Sequence, residues 1–260
     1  MSDPLVSVEH LTHLFRLSKR ASIRAVDDVS FQIGRREIFG LVGESGSGKS
    51  TLLKTLYFDQ PATSGEATLT MYQNGKANIL EASSQQRRYL RNHLMGMVYQ
   101  NPMLGLRMNI SSGANIAEKL IAAGSRNAGR MIARSSQLLE HVEIPVERLR
   151  DQPRVFSGGM QQRVQISKAI ANNPPILLLD EVTTGLDLSV QAKVLDLIRT
   201  IQQELGIAMM IVSHDLSVIR MMSDRTMVML GGRVVEEGLT DQILEDPLHA
   251  YTQTLVSSLL

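Results

Sequence analysis

The sequence predicts an α/β fold: a parallel sheet flanked by helices, with an antiparallel β segment ahead of it and a helical segment in its middle. Three observations predict it. Residues 43–50 read Gly-Glu-Ser-Gly-Ser-Gly-Lys-Ser, the G-x-x-x-x-G-K-S spacing of a phosphate-binding loop, set between the apolar run 38–42 and a helix-forming run 51–56. Further on, short apolar runs at 176–179 and 207–212 alternate with an amphipathic stretch at 189–205, the pattern of strands joined by crossover helices. Between the loop and those runs, residues 101–172 carry their apolar side chains at helical spacing.

Composition narrows the class. A chain of 260 residues with 43% hydrophobic content can bury one substantial core, so residues 1–260 are expected to form a single domain. Charge is almost balanced, 27 Lys plus Arg against 26 Asp plus Glu, which argues against direct nucleic-acid binding through bulk electrostatics. Cysteine is absent, excluding disulfides, thiolate zinc sites and iron–sulfur clusters. The N-terminal stretch 1–8 is polar, interrupted by Pro4, and unlike a signal peptide. Every apolar run falls far short of the roughly 20 residues that span a bilayer. The expected location is cytoplasmic.

Taken in order, residues 5–36 alternate apolar and polar side chains at Val26, Val29, Phe31 and Ile33, predicting antiparallel strands. Residues 65–80 look similar, with Ala67, Leu69 and Met71 on one face and a turn at Asn74-Gly75. The loop and its flanks follow the strand–loop–helix order that aims a helix N-terminus at a phosphate. These stretches make 1–100 an antiparallel β subdomain plus the first part of the nucleotide-binding core. Residues 101–172 form a helical subdomain, with Ile116, Leu120, Ile121, Ile132, Leu138 and Leu139 on apolar stripes. Residues 173–260 complete the core. There Pro174-Pro175 end the helical region and 176–179 read as a buried strand. Val190, Val194, Leu197, Ile198, Ile201 and Leu205 stripe one helix. Strands at 207–213 and 226–230, a hairpin through Gly231-Gly232 and a helical tail close the chain. His10 and His13 are spaced like metal ligands but lack partners, and Arg16, Lys19, Arg20, Arg24, Arg87, Arg88 and Arg91 read as solvated faces.

The chemistry gathers on three motifs. In the loop, glycines let successive N–H groups point inward at an anion, Lys49 offers charge to the β- and γ-phosphates, and Ser50 can ligate Mg²⁺. The loop residues Gly43, Glu44, Ser45, Gly46, Ser47, Gly48, Lys49, Ser50 and Thr51 are the expected nucleotide contacts. In Leu177-Leu178-Leu179-Asp180-Glu181, an apolar strand delivers two carboxylates at its C-terminal end. Asp180 is the candidate to hold Mg²⁺ and Glu181 the candidate general base. In Ser157-Gly158-Gly159, a serine and two glycines open a helix and make a second anion nest.

That third run, Phe156-Ser157-Gly158-Gly159-Met160-Gln161-Gln162-Arg163, resembles the signature of ATP-binding cassette ATPases, and the resemblance covers nearly the whole chain. It implies a P-loop NTPase cassette with a RecA-like core, ATP and Mg²⁺ as cofactors, and ATP hydrolysis. It also implies a second cassette protomer, identical or related, whose Ser157, Gly158 and Gly159 would contact the γ-phosphate held by the first. Gln100, after the strand-like run 95–99, falls where the family has its magnesium-sensing glutamine. Asp187 in Gly185-Leu186-Asp187 falls in the dimer-contacting loop, and His214 in Ser213-His214-Asp215 at the switch histidine. Phe15 stands where similar cassettes stack adenine; core packing explains it equally well. Where the family usually follows Glu181 with proline this chain has Val182, which puts the turn orienting Glu181, and so the rate, in question.

Two tasks remain open. The run Asp246-Pro247-Leu248-His249-Ala250-Tyr251-Thr252-Gln253 is similar to the tails of peptide and nickel importer ATPases, whose partner is a membrane permease. The stretches 101–107, 111–120, 142–145 and 251–258 more closely resemble the cassette subunits of the carbon–phosphorus lyase system. Those subunits dock on a cytosolic lyase core and couple ATP turnover to phosphonate breakdown. The sequence favours the lyase core as partner, with the permease as alternative.

Overall fold

The computed structural model describes residues 4–16 and 21–257; Lys19, Arg20 and the last part of the run 251–258 lie outside them. In chain order the strands are β1 Val6–Arg16, β2 Ser22–Ile33, β3 Ile38–Val42, β4 Ser64–Leu69, β5 Met95–Val98, β6 Ile176–Asp180, β7 Ala208–Val212, β8 Arg225–Leu230 and β9 Arg233–Leu239. The helices are α1 Lys49–Leu56, α2 Ser84–Tyr89, α3 Pro102–Gly105, α4 Ser112–Ala122, α5 Ala128–His141, α6 Gly158–Ala169, α7 Leu188–Leu205, α8 Leu216–Met222, α9 Thr240–Glu245 and α10 Ala250–Ser257. None of the described helices is long and apolar enough to cross a membrane. The chain divides into two compact units, residues 1–87 with 208–260, and residues 88–207.

The first unit carries two sheets. β1 lies antiparallel between β2 and β4, and its polar–apolar alternation buries Val6, Val8 and Leu11. In the second sheet β3 is flanked in parallel by β7 and β8, with Leu41 opposite Val212 on one side and Met227 on the other. Every residue of β3 and β7 is buried, as strands covered on both faces require. β9 pairs antiparallel with β8. The connecting hairpin turns on Gly231 and Gly232, at φ 56° and 85°, the two positive values that a tight hairpin turn needs.

One expectation in this unit fails. β4 ends at Leu69, Met71 is exposed, and no strand follows the Asn74-Gly75 turn; a 3₁₀ turn at Ile79–Glu81 does. The reason is Asn78. Its side-chain oxygen accepts the Ala67 N–H at 3.1 Å and its amide donates to the Gly65 carbonyl at 3.3 Å. One side chain thus occupies the ladder groups that a further strand would use. Nor are all the arginines solvated: Arg87 is half-buried and donates to the Ala82 and Leu80 carbonyls at 2.8 and 3.0 Å.

The second unit pairs β5 with β6 in parallel, Val98 opposite Leu179, beside a cluster of helices. Side-chain caps start these helices as their sequences suggest: Ser111 accepts from the Ala114 N–H, Asn127 from Arg130, Ser157 from Met160 and Asp187 from Val190. Gly206 ends α7 in the left-handed region at φ 59°. Ile116, Leu120, Leu138 and Leu139 form the apolar layer, whereas Ile121 and Ile132, expected on the same stripes, are 47% and 58% exposed. Lys168 ties α6 to α4 through Glu118 at 2.8 Å and caps the Gly105 carbonyl at 2.9 Å.

Candidate functional site

The candidate residues fall into two groups, one in each unit. In the first, β3 runs into the phosphate loop and α1 begins at Lys49, with Gly48 at its N-cap. The loop exists only because its glycines do. Gly48 sits at φ 105°, and a Cβ there would lie 2.0 Å from the Ala25 carbonyl oxygen; Gly43, at φ 148°, would place one 2.1 Å from the Met229 carbonyl oxygen. The loop is therefore pressed against β2 and β8. Its outer wall is the β8–β9 hairpin, whose Gly232 N–H donates to the Ser47 carbonyl at 3.0 Å and whose carbonyl accepts the Asp27 N–H at 2.8 Å. Asp27 is in turn gripped by Arg233 at 2.7 Å and Arg24 at 3.0 Å, donors that hold its carboxyl below the usual carboxylate range.

This cradle fits a polyphosphate. Gly48 contributes no side chain to the helix start and no acidic residue stands in the first turn of α1, so the helix presents amides and positive dipole to an anion. The Lys49 ammonium is buried and donates to the Gly43 and Glu44 carbonyls, each at 2.8 Å. Both of these acceptors belong to its own loop. Gly48→Ala is expected to destabilise the protein by about 2 kcal/mol or more, from the left-handed backbone and the carbonyl clash together. A denaturant melt matching the wild type would contradict that geometry.

Two further candidates belong to this unit. β7 is the parallel neighbour of β3, so His214 leaves the sheet at the edge where the loop begins. The Ser213 N–H donates to the Leu41 carbonyl at 3.2 Å, Ser213 Oγ accepts the Asp215 N–H at 3.0 Å, and Asp215 caps α8 through the Ser217 N–H at 2.8 Å. His214 stands exposed on this braced turn. Phe15 is 37% exposed and meets His13 edge-on at 4.5 Å; it is no core residue and can offer a face to a ring.

The second unit assembles the carboxylates. β6 is buried throughout and ends at Asp180, itself 2% exposed. Glu181 follows in the left-handed region at φ 44°, a conformation that costs a residue with a Cβ about 1–2 kcal/mol. Its Oε2 accepts Gln100 Nε2 at 3.0 Å and Thr184 Oγ1 at 3.2 Å. Gln100 leaves the end of β5, beside β6, so these side chains meet at one strand edge. Val182 is buried, and the Thr184 N–H donates to the Glu181 carbonyl at 3.1 Å. Hydrogen bonds close the turn that a proline ring would otherwise stiffen.

Sequence reading missed what holds Gln100. Gln162 and Gln165, on α6, are 2% and 1% exposed. Gln162 donates to the Gln100 carbonyl at 3.1 Å; Gln165 accepts the Tyr99 N–H at 2.7 Å and donates to the Tyr99 carbonyl at 3.0 Å. The clue lay in two glutamines three apart on a helix with little amphipathic character.

Ser157 is exposed at the start of α6, with Gly158 beside it. Gly159 is buried, and a Cβ there would lie 2.4 Å from Val190 Cγ1, so its absence lets α6 approach α7. Asp187 caps α7 from an exposed position. The Ser189 hydroxyl at 2.8 Å and then the Val190 amide hold its carboxyl below the ordinary range. In chain order the fold carries the loop 43–51, Gln100, Ser157-Gly158-Gly159, Asp180-Glu181, Asp187 and His214.

Residues 26–184 match the family model described as ABC transporter. The chain is 46% identical over 260 residues to the putative phosphonates utilization ATP-binding protein PhnK of Escherichia coli (strain K12), covering 100% of this chain and 99% of that one. It is 36% identical over 260 residues to the oligopeptide transport ATP-binding protein OppF of Bacillus subtilis (strain 168), covering 100% of this chain and 83% of that one. Among solved structures, the dimeric post-hydrolysis ATP-binding cassette MJ0796 bound to ADP and Pi superposes with a TM-score of 0.81 at 28% identity, covering 90% of this chain and 98% of the other. The chain belongs to the ABC transporter family: it is an ATP-hydrolysing, Mg²⁺-dependent ATP-binding cassette.

Proposed function

We propose that this cassette dimerises around MgATP and couples hydrolysis to a cytosolic carbon–phosphorus lyase core in phosphonate breakdown. The observation that carries the reading is the end-to-end match to the phosphonates utilization protein, 46% identity over 99% of that relative. The peptide importer relatives match at 36–39% identity.

In this reading Lys49 leaves its loop carbonyls to engage the β- and γ-phosphates, joined by the loop amides that follow Glu44, from Ser45 to Thr51. Ser50 and Asp180 hold the metal, with Gln100 nearby in its shell, and Phe15 stacks on adenine. Bound Mg²⁺ supplies charge that offsets the phosphate oxygens. Glu181 takes a proton from the attacking water, and His214 steadies the transferring group. Ser157, Gly158, Gly159 and Asp187 act across the interface with a second protomer, a role that the exposed placement of Ser157, Gly158 and Asp187 at two helix starts supports. Met103 and Leu104, 68% and 64% exposed just after Gln100, offer a partner an apolar handle beside the glutamine that senses the nucleotide.

The alternative, an importer ATPase on a membrane permease, draws support from the oligopeptide transport relative. Affinity purification of the tagged chain from its native host separates them. Recovery with lyase-core subunits from the soluble fraction, and loss of growth on an alkylphosphonate as phosphorus source when the gene is deleted, are the expected results. Detergent-dependent recovery with a permease, and unaffected growth, overturns the lyase assignment.

A further inference from the structure

We propose that Tyr251 is a positioning residue for nucleotide binding: its hydroxyl holds the Glu44 peptide of the phosphate loop in the conformation that receives the triphosphate. Tyr251 Oη accepts the Glu44 N–H at 2.8 Å, joining two segments 207 residues apart. On its other side the same residue is held by atoms of the loop itself. The Glu44 carbonyl accepts Lys49 Nζ at 2.8 Å and the Ser47 N–H at 3.1 Å.

The consequence lies in what happens when an anion arrives. Lys49 must leave the Gly43 and Glu44 carbonyls to reach a phosphate, and the Gly43–Glu44 peptide, whose N–H meets Tyr251 and whose oxygen is the Gly43 carbonyl, then loses its charge-assisted partner. Glu44 is exposed and lies between glycines at φ 148° and 84° two residues to either side at most, so little else in the local chain resists its rotation. On the Gly43–Glu44 peptide the tyrosine bond does not depend on Lys49; on the next peptide the Ser47 N–H bond to the Glu44 carbonyl does not either.

The tail is built to hold that bond. Glu236, on β9, accepts the Leu248 N–H at 2.8 Å on one carboxylate oxygen and the His249 N–H at 3.0 Å on the other. The Tyr251 N–H donates to His249 Nδ1 at 3.1 Å, and Gln253 Nε2 to the Pro247 carbonyl at 3.0 Å. A carboxylate gripping two consecutive amides fixes the entry of α10, and with it the ring of Tyr251. The tail thereby braces the loop at Glu44, as the hairpin bond does at Ser47.

The test is steady-state MgATP hydrolysis by the full-length chain. Tyr251→Phe keeps the ring and removes the acceptor; the expected result is a KM for MgATP raised roughly three- to tenfold, the worth of one hydrogen bond, with kcat close to wild type. Glu236→Gln, which weakens the grip on the tail, is expected to raise KM in the same direction. Thr254→Ala is the control: its exposed hydroxyl bonds the Ala250 carbonyl within α10 at 3.0 Å, and KM is expected to stay at the wild-type value. Amide hydrogen exchange in the nucleotide-free wild type gives a readout that needs no variant: the Glu44 amide is expected to be protected, and to lose that protection in Tyr251→Phe. An unprotected Glu44 amide, an unchanged KM in Tyr251→Phe, or an equal rise in Thr254→Ala overturns the proposal. The inference uses ATP hydrolysis alone, so a failed lyase pull-down leaves it standing.

Discussion

Lys49→Ala is expected to lower MgATP affinity by about 100-fold or more, the scale of a charge-assisted contact to phosphate removed from a buried position. The geometry makes the effect specific. Lys49 is 4% exposed at the first residue of α1, and both carbonyls it now occupies belong to the loop that would surround the anion. Truncation removes the charge and the ammonium that both carbonyls accept, with the Ser47 N–H still on the Glu44 carbonyl, so the loop loses an internal tie as well as its ligand contact. Lys49→Arg separates the two effects. It retains charge, but its planar fork does not match a pocket shaped for a point ammonium, and a partial recovery of affinity is expected. Titration calorimetry with MgATP and a thermal melt on each variant are the measurements. Wild-type affinity in Lys49→Ala would remove the phosphate-loop assignment altogether.

The parts of this cassette that were legible in the sequence are those where one residue type answers one local demand. β3 and β6 are unbroken apolar runs because both faces are covered. The glycines at 43 and 48 announce backbone that a Cβ would drive into a neighbouring carbonyl. Asp180-Glu181 follow an apolar strand, and charge at a strand end is conspicuous. What stayed hidden depends on partners distant in sequence. Asn78 replaces a strand by bonding β4, yet nothing sets it apart within the strand-like stretch 65–80. Gln162 and Gln165 clamp the Tyr99-Gln100 backbone across more than 60 positions. Tyr251 reads as one more residue of a helical tail, although its hydroxyl reaches the loop. Polar side chains that bond backbone leave no periodic trace, because the acceptor is present at every position of every chain.

Glu181→Gln is expected to slow ATP hydrolysis by roughly 10²- to 10⁴-fold, the contribution of a positioned general base, while leaving nucleotide binding intact. Glutamine preserves the shape of the side chain and keeps an oxygen able to accept from Gln100 and Thr184, the donors now 3.0 and 3.2 Å from Oε2. The turn should therefore survive, including the left-handed backbone at φ 44° that aims the side chain. What is lost is basicity and one negative charge near the transferring phosphate. Both changes favour an ATP-bound closed pair: it cannot discharge by hydrolysis, and it meets less repulsion from its own active site. Light scattering in MgATP is accordingly expected to show a shift from monomer to dimer mass in Glu181→Gln. Adding Ser157→Arg should abolish that shift, since an arginine at the exposed start of α6 would block the proposed neighbouring protomer while leaving Asp180 and residue 181 in place. Hydrolysis at the wild-type rate in Glu181→Gln would remove Glu181 from the role of base. A trapped species that stays monomeric would instead show that the cassette closes on its nucleotide without a second copy.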